Sequence, residues 1–544
     1  MTVPSYFGTI MWSPESQGYR AYSDFLVENY LTYDGKFGKH HLNTVAGMTF
    51  ERELTYNLSA WGNNMPEPYY LQIGNATDRD ANSSQFEHVL ASYIGRVTYD
   101  YDSRYLFQAT VRRDGSSRLS TGNHWDWFPS ASIGWRIDKE PFFNVDPQLV
   151  SLLKLRASYG VLGNENIGEY QYMDTMARGN YTYSFGGDKV TGSSISNYVN
   201  TAIHWEKKKT LDIGLDYAMF GGALEVNADY YNALSEDLLY SVPVPAEAGA
   251  TNESVTMNAA SMRNTGIELS ASWRNYQRDF KYEFSGNVTF PKNTVVSLGP
   301  SGEARNDAFT RTELNAEVGR FYGYVYEGIF QNQEEIDSRV NDKGQYVTQA
   351  GAQPGDVAYK DINNDGQITA DDQTFIGSGM PKVQFGLSAR FEYKGFDLSV
   401  STFGAAGYQL LDFVDMTLRS SYGMTNRSVD LMNAWTPSNP STTVPRVYYK
   451  ATGTITNDMF SSRYLQNGSY WKIANVEFGY NLPEGVFGGF IRGARIYLSG
   501  QNLLTISKYR GYNIDFAGGA FTPGYNYCSY PAPMTAMVGV KLSF

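Results

Sequence analysis

The stretch TAMVGVKLSF, Thr535–Phe544, decides how the rest of the chain is read. Ala536, Val538, Val540, Leu542 and Phe544 share one parity; Thr535, Gly539, Lys541 and Ser543 share the other, with Met537 the exception. Successive strand side chains point to opposite faces, so this is a strand with one apolar and one polar side. It ends the sequence on an aromatic. A soluble sheet rarely finishes this way. The final strand of a transmembrane barrel often does, because it pairs with an earlier strand and turns its apolar face to lipid.

The same period recurs along the chain. Tyr105, Phe107, Ala109 and Val111 alternate with Gln108, Thr110 and Arg112; Leu153, Leu155, Ala157, Tyr159 and Val161 alternate with Lys154, Arg156 and Ser158. Leu211 to Tyr217, Leu224 to Tyr230 and Val383 to Tyr393 repeat it. Roughly 15 such segments are present, most long enough to cross a bilayer at ~9–11 residues. Tight links (Asp102–Arg104, Phe220–Ala223, Lys394–Phe396) alternate with long ones near 164–203, 236–261, 298–381, 412–469 and 508–534. Short turns on one side and long loops on the other fit an outer-membrane barrel, the short side being periplasmic. Residues 1–21 read as a loop-like N-terminal segment and 22–544 as barrel.

Composition agrees. Tyr 43, Phe 30 and Trp 9 make the chain 15% aromatic, and 53 glycines accompany a mean hydropathy of -0.41. Alternating lipid contact with aromatic girdles gives that combination. No run of ~18 apolar residues is present, so helical spans are excluded. A net charge of -12 argues against nucleic acid as a partner. The single Cys528 allows no internal disulfide. MTVPSYFGTI has no basic segment before an apolar run, so it does not read as a signal peptide, and the expected strand count comes out odd. Both fit a chain that is one portion of a barrel.

Seven stretches carry a family resemblance: VRRDGSSRL (111–119), LRASYGVLGNENIG (155–168), DYYNALSEDLL (229–239), NTGIELSASW (264–273), PGDVAYKDINNDGQITADD (354–372), SYWKIANVEFGYNLP (469–483) and IYLSGQNLLTISKYRGYNID (496–515). In this order they resemble the C-terminal barrel portion of SusC/RagA-type TonB-dependent outer-membrane transporters of Bacteroidetes. The resemblance implies an all-β antiparallel transmembrane barrel of about 22 strands, of which roughly 15 are here, without the plug domain. It implies import of an oligosaccharide or peptide, a SusD-like surface lipoprotein as partner, and coupling to TonB through plug and TonB-box segments that the matched stretches do not include. It also implies residence in the outer membrane, against lipid and lipopolysaccharide. A passive porin and a barrel-anchored surface binding or adhesion protein are the competing readings.

One local motif stands out. Asp361, Asn363 and Asp365 supply oxygens at positions 1, 3 and 5 of a loop, Gly366 allows a sharp turn, Gln367 follows, and Asp372 is a carboxylate at position 12. That is the spacing of an EF-hand Ca²⁺ loop. Position 12 is Asp rather than the longer Glu, and no clear helix precedes the loop. The alternative is an Asx-rich turn that stiffens the loop through its own backbone. No other cofactor is expected.

Loop aromatics (Tyr322, Tyr324, Tyr326 and Phe330; Tyr509, Tyr512, Phe516, Phe521, Tyr525 and Tyr527) are candidates for stacking on sugar or for packing the loops. His40 and His41 lack further ligands at metal spacing. The run Lys207, Lys208, Lys209 reads as a solvated rim or a contact with lipopolysaccharide phosphate. Asp212, Asp216, Glu225 and Asp229 should face the lumen, either steering cargo or keeping it wet. The motifs G-x-S-x-G, H-E-x-x-H, the P-loop and the dinucleotide glycine pattern are all missing, so no enzymatic activity is expected.

Overall fold

In a computed structural model the residues described are 15–544, except 65–71, 175, 196–197, 245–253, 300–301, 421–425, 449–454, 484–489 and 517. Fifteen strands lie side by side in one sheet, in sequence order. They are β1 (Glu15–Phe37), β2 (His40–Asn63), β3 (Asp78–Tyr101), β4 (Tyr105–Ser116), β5 (Trp125–Arg136) and β6 (Val150–Asn164). Then follow β7 (Glu206–Met219), β8 (Leu224–Pro243), β9 (Ser254–Asn275), β10 (Phe280–Leu298) and β11 (Val383–Tyr393). The last are β12 (Phe396–Ala406), β13 (Tyr470–Asn481), β14 (Gly493–Ser507) and β15 (Thr535–Ser543). This is the meander expected from the alternation. No described helix is long and apolar enough to cross a membrane, which says nothing about crossing by strands.

The apolar parity of β15 is left exposed: Val538 is 78%, Val540 63% and the following Phe544 66% exposed. Aromatics crowd the short-turn end. Phe280 pairs with Tyr393 in register and stacks on Phe391, and Phe396 lies against Tyr480 with ring centroids 4.5 Å apart. Such a belt marks the membrane–water boundary. The turn joining β11 to β12 needs two left-handed residues, supplied by Lys394 (φ 45) and Gly395 (φ 86). Two successive positive φ values match the twist of a two-residue hairpin.

Three expectations change. β1 begins at Glu15 and pairs with β2 from Glu15↔Gly62 to Phe37↔His40, so the part of the loop-like segment within the described residues is strand. ESQGYRAYSD carries no apolar alternation; the ladder with β2 holds it. The link near 236–261 is mostly strand, because β8 runs to Pro243 and β9 starts at Ser254. The link near 164–203 contains a hairpin, Met176–Phe185 with Asp188–Ile195.

Two compact units divide the chain: Met1–Gly134, Ser158–Thr210 and Ser235–Ala260 in one; Trp135–Ala157, Leu211–Leu234 and Ser261–Phe544 in the other. Within the first, Leu119, Phe128 and Trp205 are buried together, with Leu90, Val161 and Ile167 around them. Within the second, the long links fold on one another. Arg305–Asn306, Thr310–Thr312, Arg320–Gly323 and Thr374–Gly377 form a small sheet, and Gln409–Asp412 lies between Leu465–Asn467 and Tyr525–Asn526. Their cores are Phe321, Leu411 and Tyr464 in one cluster, and Tyr324, Val347, Val357, Tyr359 and Ile368 in another. These loops own hydrophobic cores, as irregular surface loops ordinarily do not.

Candidate substrate cleft and its supporting loops

Where β9 to β13 meet the link 508–534, a cleft of about 810 Å³ opens. Strand parity places Asn264, Asn287, Thr289 and Gln384 along its wall, with Tyr408, Tyr470 and Phe516 adding rings. Gly379, Gly524 and Pro523 line it from the loop side. The amides and hydroxyl of Asn264, Asn287, Thr289 and Gln384 carry no hydrogen bond among the described residues. Asn293 by contrast is committed: its Oδ1 accepts the Val318 N–H at 2.9 Å. Asp515 is the one charged residue in the lining, and Lys472 Nζ stands 3.5 Å from it. Uncommitted amides therefore stand beside aromatic faces, with no patch of fixed charge. Sequence reasoning did not pick out these residues. Their only signal is polar parity along a strand, as at Gln384 in Val383 to Tyr393.

Two of the long links are tied to each other by Asp356. Its carboxylate takes a two-point bond from Arg446, Nε–Oδ1 2.7 Å and Nη2–Oδ2 3.0 Å. Asn457 donates to Asp356 Oδ1 at 3.1 Å and accepts the Val357 N–H at 2.8 Å. Links 298–381 and 412–469 are thereby joined through one buried carboxylate.

The acidic loop folds as a set of Asx turns. Asp361 Oδ1 accepts the Asn364 N–H at 2.8 Å, and Oδ2 accepts Gly366 N–H at 3.0 Å and Asn341 Nδ2 at 2.9 Å. Asn363 Oδ1 accepts Asp365 N–H, and Asp365 Oδ1 accepts Gln367 N–H. Asp372, fully buried, completes the capping box that Thr369 opens on the turn Ala370–Asp372, accepting from Ile362 and Thr369 N–H, both at 2.8 Å. So Asp361, Asn363, Asp365, Gln367 and Asp372 are brought together, but every carboxylate oxygen already holds a donor. Among the described residues no group of three or more His, Cys, Asp or Glu is arranged to hold a metal. Burial pushes the Asp361 carboxyl up, yet the bonds from Asn341, Gly366 and Asn364 outweigh it and hold it below its ordinary value.

The other predicted residues separate. Tyr324 and Phe330 are buried and pack the loops. Tyr322 lies edge-on to Phe375, and Tyr509 accepts from Asn526 Nδ2 at 2.7 Å. Phe521 packs under Arg305, and Tyr525 between Phe309 and Phe413. Phe516 reaches the cleft, while Tyr512 and Tyr527 are exposed. His40 Nδ1 meets the Tyr99 hydroxyl at 2.7 Å and His41 meets Asp34 at 3.0 Å. All four carboxylates expected to face the lumen are paired. Arg156 reaches Asp216 at 3.0 Å, Asp212 at 3.1 Å and also Asp229; Lys154 reaches Asp216 at 3.3 Å; Arg274 holds Glu225. Of the lysine run, Lys207 is bound to Asp126 at 2.7 Å and Lys209 to Glu236.

A sheet of fifteen antiparallel strands with an aromatic belt at its short-turn end and folded loops between the strands is the architecture of an outer-membrane β-barrel protein. The chain belongs to the TonB-dependent receptor-like β-barrel family, whose model matches residues 3–503. It is 33% identical to TonB-dependent receptor P3 of Formosa agariphila over 97% of this chain and 53% of that protein. It is 27% identical to TonB-dependent receptor SusC of Bacteroides thetaiotaomicron over 99% of this chain and 51% of that protein. The chain thus spans about half the length of these curated relatives. Its fold is similar to a structure of the RagAB peptide transporter (TM-score 0.82, 25% identity, 97% of this chain and 56% of that one). It is also similar to the RagAB peptide importer in the 'open-open' state (TM-score 0.79, 26% identity, 97% of this chain and 56% of that one). The protein is an outer-membrane protein of the SusC/RagA type.

Proposed function

We propose that this chain supplies barrel wall and extracellular loops to a TonB-dependent importer of an oligosaccharide or peptide, working with a SusD-like lipoprotein. TonB coupling would come from plug and TonB-box segments outside the stretches compared. The observation that carries the reading is the cleft of uncommitted amides and rings at the loop end of β9–β13. A neutral polymer rich in hydroxyls or peptide groups would satisfy those amides, and ring faces would cover its apolar edges. The relatives support it: one solved neighbour is a peptide importer and one curated relative is SusC. On this reading the protein is not an enzyme and requires no cofactor, and the loop 361–372 is a stiffener.

The test is uptake of labelled oligosaccharides and peptides by cells carrying the protein, with and without a protonophore. Uptake that stops when the proton gradient collapses, and falls at least several-fold in Asn287→Ala with Tyr470→Ala, supports the reading. Uptake that ignores the gradient would make the protein a passive channel instead.

A further inference from the structure

The lysine run of β7 is the obvious basic feature of the sequence, but Lys207 and Lys209 are already ion-paired. Another cation, Arg113, is better placed to meet an anion. On β4, Tyr105, Phe107 and Val111 are exposed on the outward, apolar side, and Arg113 shares their parity. Arg112, its neighbour, is on the opposite face, bonded to Asp114 and Ser92. Arg113 carries no ion pair among the described residues.

Its surroundings are aromatic. The guanidinium carbon sits 5.2 Å from the ring centre of Trp125 and 5.3 Å from that of Trp127. Trp125 stacks on Tyr93, the register partner of Arg113, with centroids 5.8 Å apart and planes at 24°. Tyr93 and Trp127 are each 55% exposed. Gly115 makes this shelf: a Cβ there would lie 2.5 Å from the Trp125 ring. Two indole faces fix the guanidinium through cation–π contact and leave its N–H edge open for a bidentate acceptor.

Height on the wall selects the acceptor. Tyr105 starts β4 at the short-turn end, and Arg113 is eight residues on. At ~3.4 Å per residue and a tilt of ~40°, that is about 20 Å, close to the far edge of an apolar band about 25 Å tall. Trp125 and Trp127 open β5 at the same level, where a second aromatic girdle belongs. Arg113 therefore stands where the headgroups of the outer leaflet begin. In the outer membrane that leaflet offers phosphate on lipopolysaccharide, and planar guanidinium matches phosphate oxygens two to two.

We propose that Arg113, held by Trp125, Trp127 and Tyr93, is a binding site for a lipid A phosphate of lipopolysaccharide. The test is native mass spectrometry of the protein extracted from its membrane, titrated with bisphosphorylated lipid A and with the same lipid stripped of phosphate. Arg113→Gln should weaken binding of the phosphorylated lipid about tenfold and leave binding of the stripped lipid unchanged. Arg52→Gln serves as the comparison, since Arg52 is already paired with Glu87 at 2.8 Å; it should leave both affinities unchanged. Arg113→Gln binding phosphorylated lipid as well as the parent, losing both lipids equally, or behaving like Arg52→Gln would overturn the site. The Arg113 side chain is exposed and the ladder pairing with Tyr93 is made by the backbone, so its substitution leaves the wall intact.

Discussion

Arg446 and Asp356, 90 residues apart in sequence, meet in a two-point bond with Nε–Oδ1 at 2.7 Å and Nη2–Oδ2 at 3.0 Å. Asp356 is buried, so removing its partner strands a charge rather than merely deleting a contact. Arg446→Ala should loosen the loop core by about 3–5 kcal/mol. Hydrogen exchange should rise in 324–368 and 455–465 while the ladders of β1–β4 stay protected. Uniform loss of protection across the wall would contradict a local role.

Tyr359 has no exposed surface and donates from its hydroxyl to the Thr456 carbonyl at 2.8 Å. Burial raises its phenol well above the ordinary value, so the hydroxyl remains a donor throughout the usable pH range. Tyr359→Phe removes one hydrogen bond and should cost about 0.5–1.5 kcal/mol. Tyr359→Ala empties the centre of its cluster and should cost about 3–5 kcal/mol. The gap between the two variants, read as local exchange or as proteolysis of the loops, separates packing from the hydrogen bond.

The wall was legible because each strand repeats a period of two over many residues. Val383–Tyr393 and Thr535–Ser543 could be placed on sight, and the strand count followed. The start of β1 was not legible, because Glu15–Ala21 has no apolar parity and is held by pairing alone. The loop cores could not be read, since Tyr324, Val357 and Tyr359 come together with Met459 only through tertiary folding. The charge run 207–209 was visible, but its partners Asp126 and Glu236 lie far along the chain. The cleft amides were equally hidden: on a polar strand face, an uncommitted asparagine looks like any other.

Arg156 serves three carboxylates, Asp212, Asp216 and Asp229, with Lys154 on the second. Gly214 leaves the space: a Cβ there would stand 2.5 Å from the guanidinium carbon. Arg156→Ala would leave three acids against one lysine. With the site partly solvated, the loss should be about 1–3 kcal/mol, smaller in high salt because ions screen the bare acids. Thermal unfolding in detergent at low and high salt checks it; equal losses at both would point to packing instead.

The acidic loop yields a prediction with a definite sign. Bonds from Asn341, Gly366 and Asn364 hold the Asp361 carboxyl below its ordinary value against the upward push of burial. A carboxyl depressed in the folded state adds stability that is complete above its unfolded value of about 3.9 and disappears as pH falls through the folded value. The loop should therefore keep its protection at pH 5 and above and open as the pH falls below about 4. Incubation across that range, followed by a hydrogen-exchange pulse at one fixed pH, would read the opening of 361–372 directly. Asp361→Asn should lose protection already at neutral pH. Because backbone and amide donors occupy every carboxylate oxygen of Asp361, Asp365 and Asp372, chelating divalent cations at pH 7 should leave the same amides protected. A fall in protection on chelation, restored by Ca²⁺, would instead make an ion part of what holds the loop.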